Sequence, residues 1–116
     1  MSKEQKKQLY EGMYILVSTL SDDARAKALD KITTGIEAKG GEVHKIHDRG
    51  RQKLAYDIKG KREGHYYVLY FTAPADAIKP LWRDYHLNED LLRFVTLQAE
   101  EVKEKIEFKP LVAIEG

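Results

Sequence analysis

Basic side chains concentrate in one stretch of this chain, and the chemistry available to them is attraction of phosphate groups. Residues 44–65 hold seven Lys or Arg and three Asp or Glu, so this segment carries about +4 although the formal net charge of all 116 residues is only +1. A net charge near zero thus hides a local basic patch. The competing interpretation is a solvated hairpin with ordinary surface charges. The seven basic residues are Lys45, Arg49, Arg51, Lys53, Lys59, Lys61 and Arg62.

Catalytic and metal-binding side chains show no arrangement of this kind. The chain has no cysteine, which excludes thiol catalysis, disulfides and cysteine-ligated metals. His44 and His47 stand three apart in an extended segment, a spacing that turns them to opposite faces and argues against a ligand pair. Gly60–Lys61 lacks the upstream glycine of a phosphate-binding loop. We therefore predict no metal, no cofactor, no small-molecule substrate and no enzymatic activity.

Two extended segments position the basic residues. Leu54, Tyr56 and Ile58 alternate with polar or small residues, the period of a half-buried strand, and this parity predicts that Tyr56 faces the core. Arg51, Lys53 and Lys59 would then lie on the opposite face, with Lys61 and Arg62 in the following turn. Gly50 is expected to mark a bulge or kink, because residues 42–59 are too long for a regular strand.

Two further strands are apolar on both faces. These are residues 9–17 and the aromatic segment 65–72, and strands of this kind are covered on both sides or have one side available to a partner. A last strand is predicted at residues 91–98. Because Lys and Arg beside tyrosines can combine phosphate attraction with base stacking, nucleic-acid binding is the best-motivated function of these segments.

Two amphipathic helices complete the pattern. The first begins after Ser21, a good N-cap, and ends at Gly40–Gly41. The second spans about residues 76–86, with Pro80 near its start, and its apolar spacing predicts that Trp82 lies on the buried stripe.

The element order is strand, helix, strand, strand, helix, strand. It predicts an α+β fold of the ferredoxin-like split βαβ (βαββαβ) type, in which two helices cover one face of a four-stranded antiparallel sheet. We expect the first and third strands to be parallel neighbours at its centre. Residues 1–98 would form this single domain and residues 99–116 a charged C-terminal tail. With no apolar signal segment or membrane-length apolar run, we expect a soluble, cytoplasmic protein.

The open face of such a sheet would carry an apolar and aromatic patch. The alternative is that Tyr66 and Tyr70 pack beneath the acidic tail. The patch would consist of Met13, Ile15, Val17, Tyr66, Val68 and Tyr70.

Several segments together resemble one known family. GRQKLAYDIK at 50–59, KREGHYYVLYFTAP at 61–74, LNEDLLRFVTL at 87–97 and the opening LYEGMYILVSTLSDD at 9–23 are similar to bacterial small-subunit ribosomal protein S6. The resemblance implies a non-enzymatic protein with the ferredoxin-like fold. It also implies that the protein binds small-subunit ribosomal RNA on the ribosome, as a pair with ribosomal protein S18. Gln52, Asp57 and His86 depart from residues common in that family.

The candidate residues follow from the pattern and the resemblance together. The open face, through Met13, Ile15, Tyr66, Val68 and Tyr70, is the predicted partner surface. The first rival function is a protein-only module that dimerises through the open sheet face. The second is a small ferredoxin-like enzyme, which the missing catalytic constellation argues against. The predicted RNA-binding residues are Arg51, Lys53, Lys59, Arg93, Lys61, Arg62, Tyr56 and His86.

Overall fold

The computed structural model describes residues 6–103 and contains four strands and two helices within them. Residues 1–5 and most of the predicted tail, 104–116, lie outside the described residues. The elements are β1 (Lys7–Val17), α1 (Asp22–Ala38), β2 (Glu42–Ile58), β3 (Lys61–Pro74), a short 3-10 turn (Ala75–Ala77), α2 (Ile78–His86) and β4 (Leu91–Gln98).

The four strands form one sheet in the order β2-β3-β1-β4, and every neighbouring pair is antiparallel. The ferredoxin-like prediction is confirmed. The prediction that the two central strands are parallel is wrong: β1 and β3 are neighbours, but they run in opposite directions. The crossover through α1 makes β2 parallel to β1, and the tight β2–β3 hairpin then reverses the chain.

The ends of α1 match the sequence signals. Ser21 Oγ accepts a hydrogen bond from the backbone N–H of Ala24 at 3.1 Å, as an N-cap does. At the other end Gly40 has φ +88°, and Gly41 N–H donates to the Ile36 carbonyl at 2.9 Å. This is the left-handed glycine stop of a Schellman motif.

The main core lies between the two helices and one face of the sheet. Tyr14 and Tyr85 meet within it, their hydroxyl oxygens 3.0 Å apart and their rings edge to face. The helices thus cover this face, and the other face is left to the rest of the chain. The buried side chains of this core are Tyr10, Tyr14, Leu16, Ala28, Ile32, Ile36, Tyr67, Leu69, Phe71, Ala73, Ala77, Leu81, Tyr85 and Leu91.

Trp82 does not lie on the buried stripe of α2, and that prediction is wrong. Its side chain is 37% exposed, whereas Leu81 and Tyr85 are buried. The indole Nε1 donates to Thr96 Oγ1 at 3.1 Å, so the ring lies at the margin of the core beside β4. A helix of nine residues presents only a narrow stripe to the sheet, and Leu81 and Tyr85 already occupy it.

Three irregularities interrupt the pairing of β2 with β3, and the first two change which β2 side chains face the helices. The β2–β3 register shifts between Val43 and Lys45, and again between Asp48 and Gly50. Gly50 has φ +79°, and its N–H donates a hydrogen bond to Asp48 Oδ1 at 2.9 Å. The predicted irregularity at Gly50 is confirmed, and it reverses the parity of the residues that follow it as far as Lys53. The register shifts once more between Lys53 and Ile58.

Candidate nucleic-acid interface

The basic residues lie on a two-stranded ribbon that continues past the end of β1. The last β1–β3 pair is Val17 with Gly64, so β3 before Gly64 has only β2 as a neighbour. The ribbon turns at Lys59 and Gly60, with φ of +51° and +79°, between the paired residues Ile58 and Lys61. Two central residues with positive φ match the right-handed twist of the strands. This turn presents Lys59 at the tip.

All five predicted cations of the ribbon are exposed. Arg51 pairs with His65 and Lys53 with Glu63 across the ladder, so both side chains lie on the sheet face that carries the helices. Leu54 packs on the other face, against Ile15. The predicted separation of Arg51 and Lys53 from Leu54 is therefore confirmed. The exposed cations are Arg51, Lys53, Lys59, Lys61 and Arg62.

Two side-chain contacts lie at the base of the ribbon. Arg51 Nη1 lies 3.5 Å from Glu63 Oε1, with both side chains substantially exposed. His65 Nε2 lies 2.7 Å from Asp48 Oδ1. Gln52 donates from Nε2 to the Arg49 carbonyl at 2.9 Å. Gln52 therefore stabilises the bulge rather than extending the cationic surface.

Tyr56 faces solvent, contrary to the prediction that it belongs to the core. Its side chain is 46% exposed. Its hydroxyl accepts a hydrogen bond from Arg93 Nη1 at 2.8 Å, and the guanidinium carbon lies 5.5 Å from the ring centroid. The alternating pattern correctly indicated that Leu54 and Tyr56 share a face, but this is the face without helices. The structure thereby joins two predicted RNA-binding residues from opposite edges of the sheet.

The predicted partner patch lies on the open face, but most of it is covered. β1 residues of odd number pair with β3 residues of even number, so the five predicted residues share that face. Four of them are nonetheless buried, with Ile15 0%, Tyr66 1%, Val68 6% and Tyr70 1% exposed, and Met13 alone is half-buried.

Two segments lie over this patch. At one end the ribbon contributes Leu54 and Ile58 to a second apolar cluster with Ile15, Tyr66 and Leu92, against which Met13 and Val17 also pack. At the other end the chain after β4 crosses the sheet. Ala99 N–H donates to the Leu9 carbonyl at 2.9 Å, and the Lys103 carbonyl lies 2.7 Å from His47 Nε2.

Tyr70 lies beneath this crossing segment. Its hydroxyl donates to Glu11 Oε2 at 3.1 Å, and its ring meets the His47 ring edge to face. Burial raises the pKa of Tyr70 to about 12, with Glu11 and Glu101 as further causes. The alternative that the tail covers the tyrosines thus holds for Tyr70, whereas Tyr66 packs with the ribbon cluster.

The exposed apolar surface of the open face belongs to β4, which the sequence prediction missed. Val95 is 38% and Leu97 57% exposed, and they pair with Met13 and Glu11 of β1. The signal was present, because Val95 and Leu97 follow Arg93 at alternate positions and so share its face. Among the described strands β4 pairs with β1 only, so its outer edge is unpaired.

His86 lies at the same edge but on the helix-covered face. It is exposed, and its ring packs edge to face on Phe94 with centroids 5.1 Å apart. Phe94 pairs with Tyr14, and Arg93 with Ile15, so His86 and Arg93 flank β4 from opposite faces. The structure therefore groups Arg93 with Tyr56 and separates His86 from the ribbon.

Within residues 6–103 no cluster of three or more His, Asp or Glu is placed to hold a metal ion. Over the same residues, no helix has the length and apolar character needed to cross a membrane.

Comparison with known proteins identifies the family. The family model for ribosomal protein S6 matches residues 9–98. The chain is 65% identical over 103 residues to small ribosomal subunit protein bS6 of Protochlamydia amoebophila, covering 89% of this chain and 90% of that protein. It is 62% identical over 109 residues to bS6 of Chlamydia muridarum, covering 94% and 97%.

A solved structure agrees with these matches. The crystal structure of 30S ribosomal protein S6 from Thermotoga maritima superposes with a TM-score of 0.76 at 27% identity, covering 81% of this chain and 89% of that one. The relatives are structural ribosomal proteins, which confirms the prediction that the chain is not an enzyme. The match over residues 9–98 and the identity to bS6 proteins show that this chain belongs to the ribosomal protein S6 family.

Proposed function

We propose that the protein is a structural component of the small ribosomal subunit in the cytoplasm, where it binds ribosomal RNA together with ribosomal protein S18. Residues 9–98 match the S6 family, whose members compared above are named as small-subunit proteins. Residues 1–98 act as the RNA-binding domain and residues 99–116 as its charged tail. The observation that carries the proposal is the exposed cationic ribbon, since all five of its predicted cations face solvent.

The RNA surface consists of the ribbon and the Arg93–Tyr56 pair. Lysine and arginine side chains on the ribbon contact phosphates, and the exposed Tyr56 ring is available beside the Arg93 guanidinium. Arg51, Lys53 and Lys59 are the principal contacts, together with Arg93. Lys61, Arg62 and Tyr56 complete this surface, and His86, on the other face of β4, is a separate RNA contact.

The partner protein S18 docks on the open face. Met13 is the accessible member of the predicted patch, and Val95 and Leu97 extend it along β4. Ile15, Tyr66, Val68 and Tyr70 form the packed layer beneath and hold these residues in place. A joint protein surface then binds RNA more tightly than either protein alone.

The RNA part of the proposal is tested by salt-dependent binding to a transcript of small-subunit ribosomal RNA. About five phosphate contacts imply a slope of log affinity against log salt of about −4 to −5. The double variant Arg51→Ala/Lys53→Ala should weaken binding and reduce that slope by about two units. Both residues are exposed, so stability should change little.

The matched control is Lys27→Ala/Lys31→Ala, which removes two exposed charges from α1. It should leave the slope close to that of the parent. If the two double variants behave alike, net charge rather than the ribbon governs binding, and the ribbon is a solvated hairpin.

The partner surface is tested by placing a charge on it. Tyr66 and Val68 are too buried for this purpose, because aspartate there would disrupt packing. Val95→Asp and Leu97→Asp should lower the affinity for S18 while keeping the salt slope of RNA binding. Ile46→Asp is the control, because Ile46 is 42% exposed and pairs with Leu69 on the helix-covered face. Equal losses for all three variants would contradict the assignment.

The alternative is a protein-only module that dimerises through the open sheet face, and it draws support from the same exposed Val95 and Leu97. Sedimentation of the pure protein distinguishes this alternative from the proposed RNA-binding function. A stable micromolar dimer that does not bind RNA would favour the alternative.

A further inference from the structure

Helix α2 carries a basic and aromatic stripe on its exposed side. Lys79, Trp82, Arg83 and His86 follow the i, i+3, i+4, i+7 spacing, which places them on one face of a helix. All four are exposed. The buried residues Leu81 and Tyr85 occupy the face toward the sheet. Among residues 6–103 nothing covers these exposed side chains, so the stripe is available for contacts outside the domain.

The acidic and basic side chains of α2 lie on different sides of the helix. Asp84 is the only acid among the nine residues of α2, and its Oδ2 lies 3.6 Å from Lys39 Nζ of α1. Asp84 thus points toward α1 and away from the stripe. Lys79 and Arg83 give the stripe a positive potential without an acid from the same helix to offset it.

The two rings of the stripe are held in place at the edge of β4. Trp82 Nε1 donates to Thr96 Oγ1 at 3.1 Å, which fixes the indole while 37% of the side chain stays exposed. The His86 ring packs edge to face on Phe94. An anchored indole loses little conformational entropy on binding, so its exposed surface is suited to stacking.

We propose that this stripe binds single-stranded RNA, with an unpaired base stacked on Trp82 and adjacent phosphates contacted by Lys79 and Arg83. The inference rests on the proposed RNA-binding function and extends its surface. Arg93 and His86 flank β4, so one RNA strand leaving the Arg93–Tyr56 pair reaches the stripe by crossing this edge. An indole beside cations fits a nucleotide, which offers a ring and a negative charge at adjacent positions.

Trp82 is the only tryptophan in the chain, so its fluorescence reports this site without mutation. The full-length protein is titrated with a short unstructured oligoribonucleotide of mixed sequence, and with a duplex of equal length. Binding is measured separately by the anisotropy of labelled RNA. We expect the single strand to quench the emission in parallel with binding and to protect the indole from acrylamide. The duplex, whose bases are already stacked, should quench far less.

Substitutions test the contribution of each group to affinity. Trp82→Ala should weaken single-strand binding roughly 5- to 150-fold, the equivalent of one stacked base, and Trp82→Phe should recover part of the loss. Lys79→Ala/Arg83→Ala should reduce the salt slope by about 1.4 units, since each phosphate contact on a single strand contributes about 0.7. Lys27→Ala/Lys31→Ala on α1 is the control for charge alone.

Each contrary result overturns a defined claim. If the RNA binds but the emission and acrylamide accessibility stay unchanged, the stripe is not an RNA site and the ribbon proposal survives. If duplex and single strand quench equally, stacking on an unpaired base is wrong. If the indole is protected only when the partner protein is added, the stripe is a protein contact. If no RNA binds at all, the proposed function fails together with this inference.

Discussion

Arg93 and Tyr56 join the two edge strands of the sheet across its open face. Arg93 belongs to β4 and Tyr56 to β2, and β1 and β3 lie between those strands. The Arg93 Nη1 to Tyr56 Oη distance is 2.8 Å, and the guanidinium carbon lies 5.5 Å from the ring centroid. The contact lies beside Leu54 and Ile58, through which the ribbon packs on the cluster of Ile15, Tyr66 and Leu92.

This contact should be weak but measurable. Tyr56→Phe removes the accepting hydroxyl and keeps the ring, and because both side chains are exposed its cost should be below about 1 kcal/mol. A double-mutant cycle of Tyr56→Ala and Arg93→Ala in urea should give a coupling energy of roughly 0.5–1 kcal/mol. Strict additivity would mean that the two side chains do not interact in solution.

Trp82 and Leu81 should differ in their contributions to stability. Leu81 is 1% exposed, so Leu81→Ala should cost roughly 3–5 kcal/mol through lost burial and a cavity. Trp82 lies at the core margin and is 37% exposed, so Trp82→Ala should cost only about 1–3 kcal/mol. Denaturant titration of both variants by circular dichroism checks the order. A larger loss for Trp82 would show that its ring is enclosed.

Gly64 should resist substitution because β1 leaves no room for a side chain. A Cβ at this position would collide with Ile15 Cγ2 and lie 3.3 Å from the Leu16 carbonyl oxygen. Gly64→Ala should therefore destabilise the protein by roughly 1–3 kcal/mol.

Removing the Ile15 side chain tests whether its contact with a new Cβ at Gly64 causes the loss of stability. In an Ile15→Ala background the colliding methyl is absent, so adding Gly64→Ala should cost clearly less than it does in the parent. An equal cost in both backgrounds would locate the effect in the backbone instead of the Ile15 contact.

The buried tyrosine pair should make stability fall in alkaline solution. Burial raises the pKa of Tyr14 well above its ordinary value of 10.0 and that of Tyr85 to about 12. The folded state thus favours the neutral phenols, and their contribution is fully present below pH 10. Above pH 10 the unfolded phenols ionise first, so the free energy of unfolding should fall by up to about 1.4 kcal/mol per pH unit for each tyrosine.

Urea titrations at pH 9, 10 and 11 measure this slope. Tyr85→Phe should make it shallower, and Tyr56→Phe is the matched control with an exposed phenol. A slope in Tyr85→Phe equal to that of the parent would exclude the pair as its source.

Much of the fold follows from local signals. The Ser21 cap, the Gly40–Gly41 stop and the apolar spacing of α1 define that helix without reference to the sheet. The order of strands and helices, with right-handed crossovers, then leaves few topologies other than the ferredoxin-like one. The exposure of the ribbon cations is equally local, because Lys and Arg next to a tight turn have no layer to cover them.

The positions of Tyr56 and Trp82 could not be read from spacing. Alternation shows that Leu54 and Tyr56 share a face, but it does not say which face, nor that the ribbon packs over the open side of the sheet. Helical spacing likewise places Trp82 beside the buried stripe of α2, but it does not show whether the stripe is wide enough to include Trp82. That width depends on how much sheet a nine-residue helix covers.

The sequence by itself determined the fold class, the family and the basic character of the ribbon, because periodicity, turn residues and local charge are properties of neighbouring residues. The tertiary structure alone decided which apolar residues of the open face are accessible. Ile15, Tyr66 and Tyr70 are as apolar or aromatic as Val95 and Leu97, yet the first three are buried and the last two exposed. The difference arises because distant segments, the ribbon and residues 99–103, pack over the central strands and leave the edge strand uncovered.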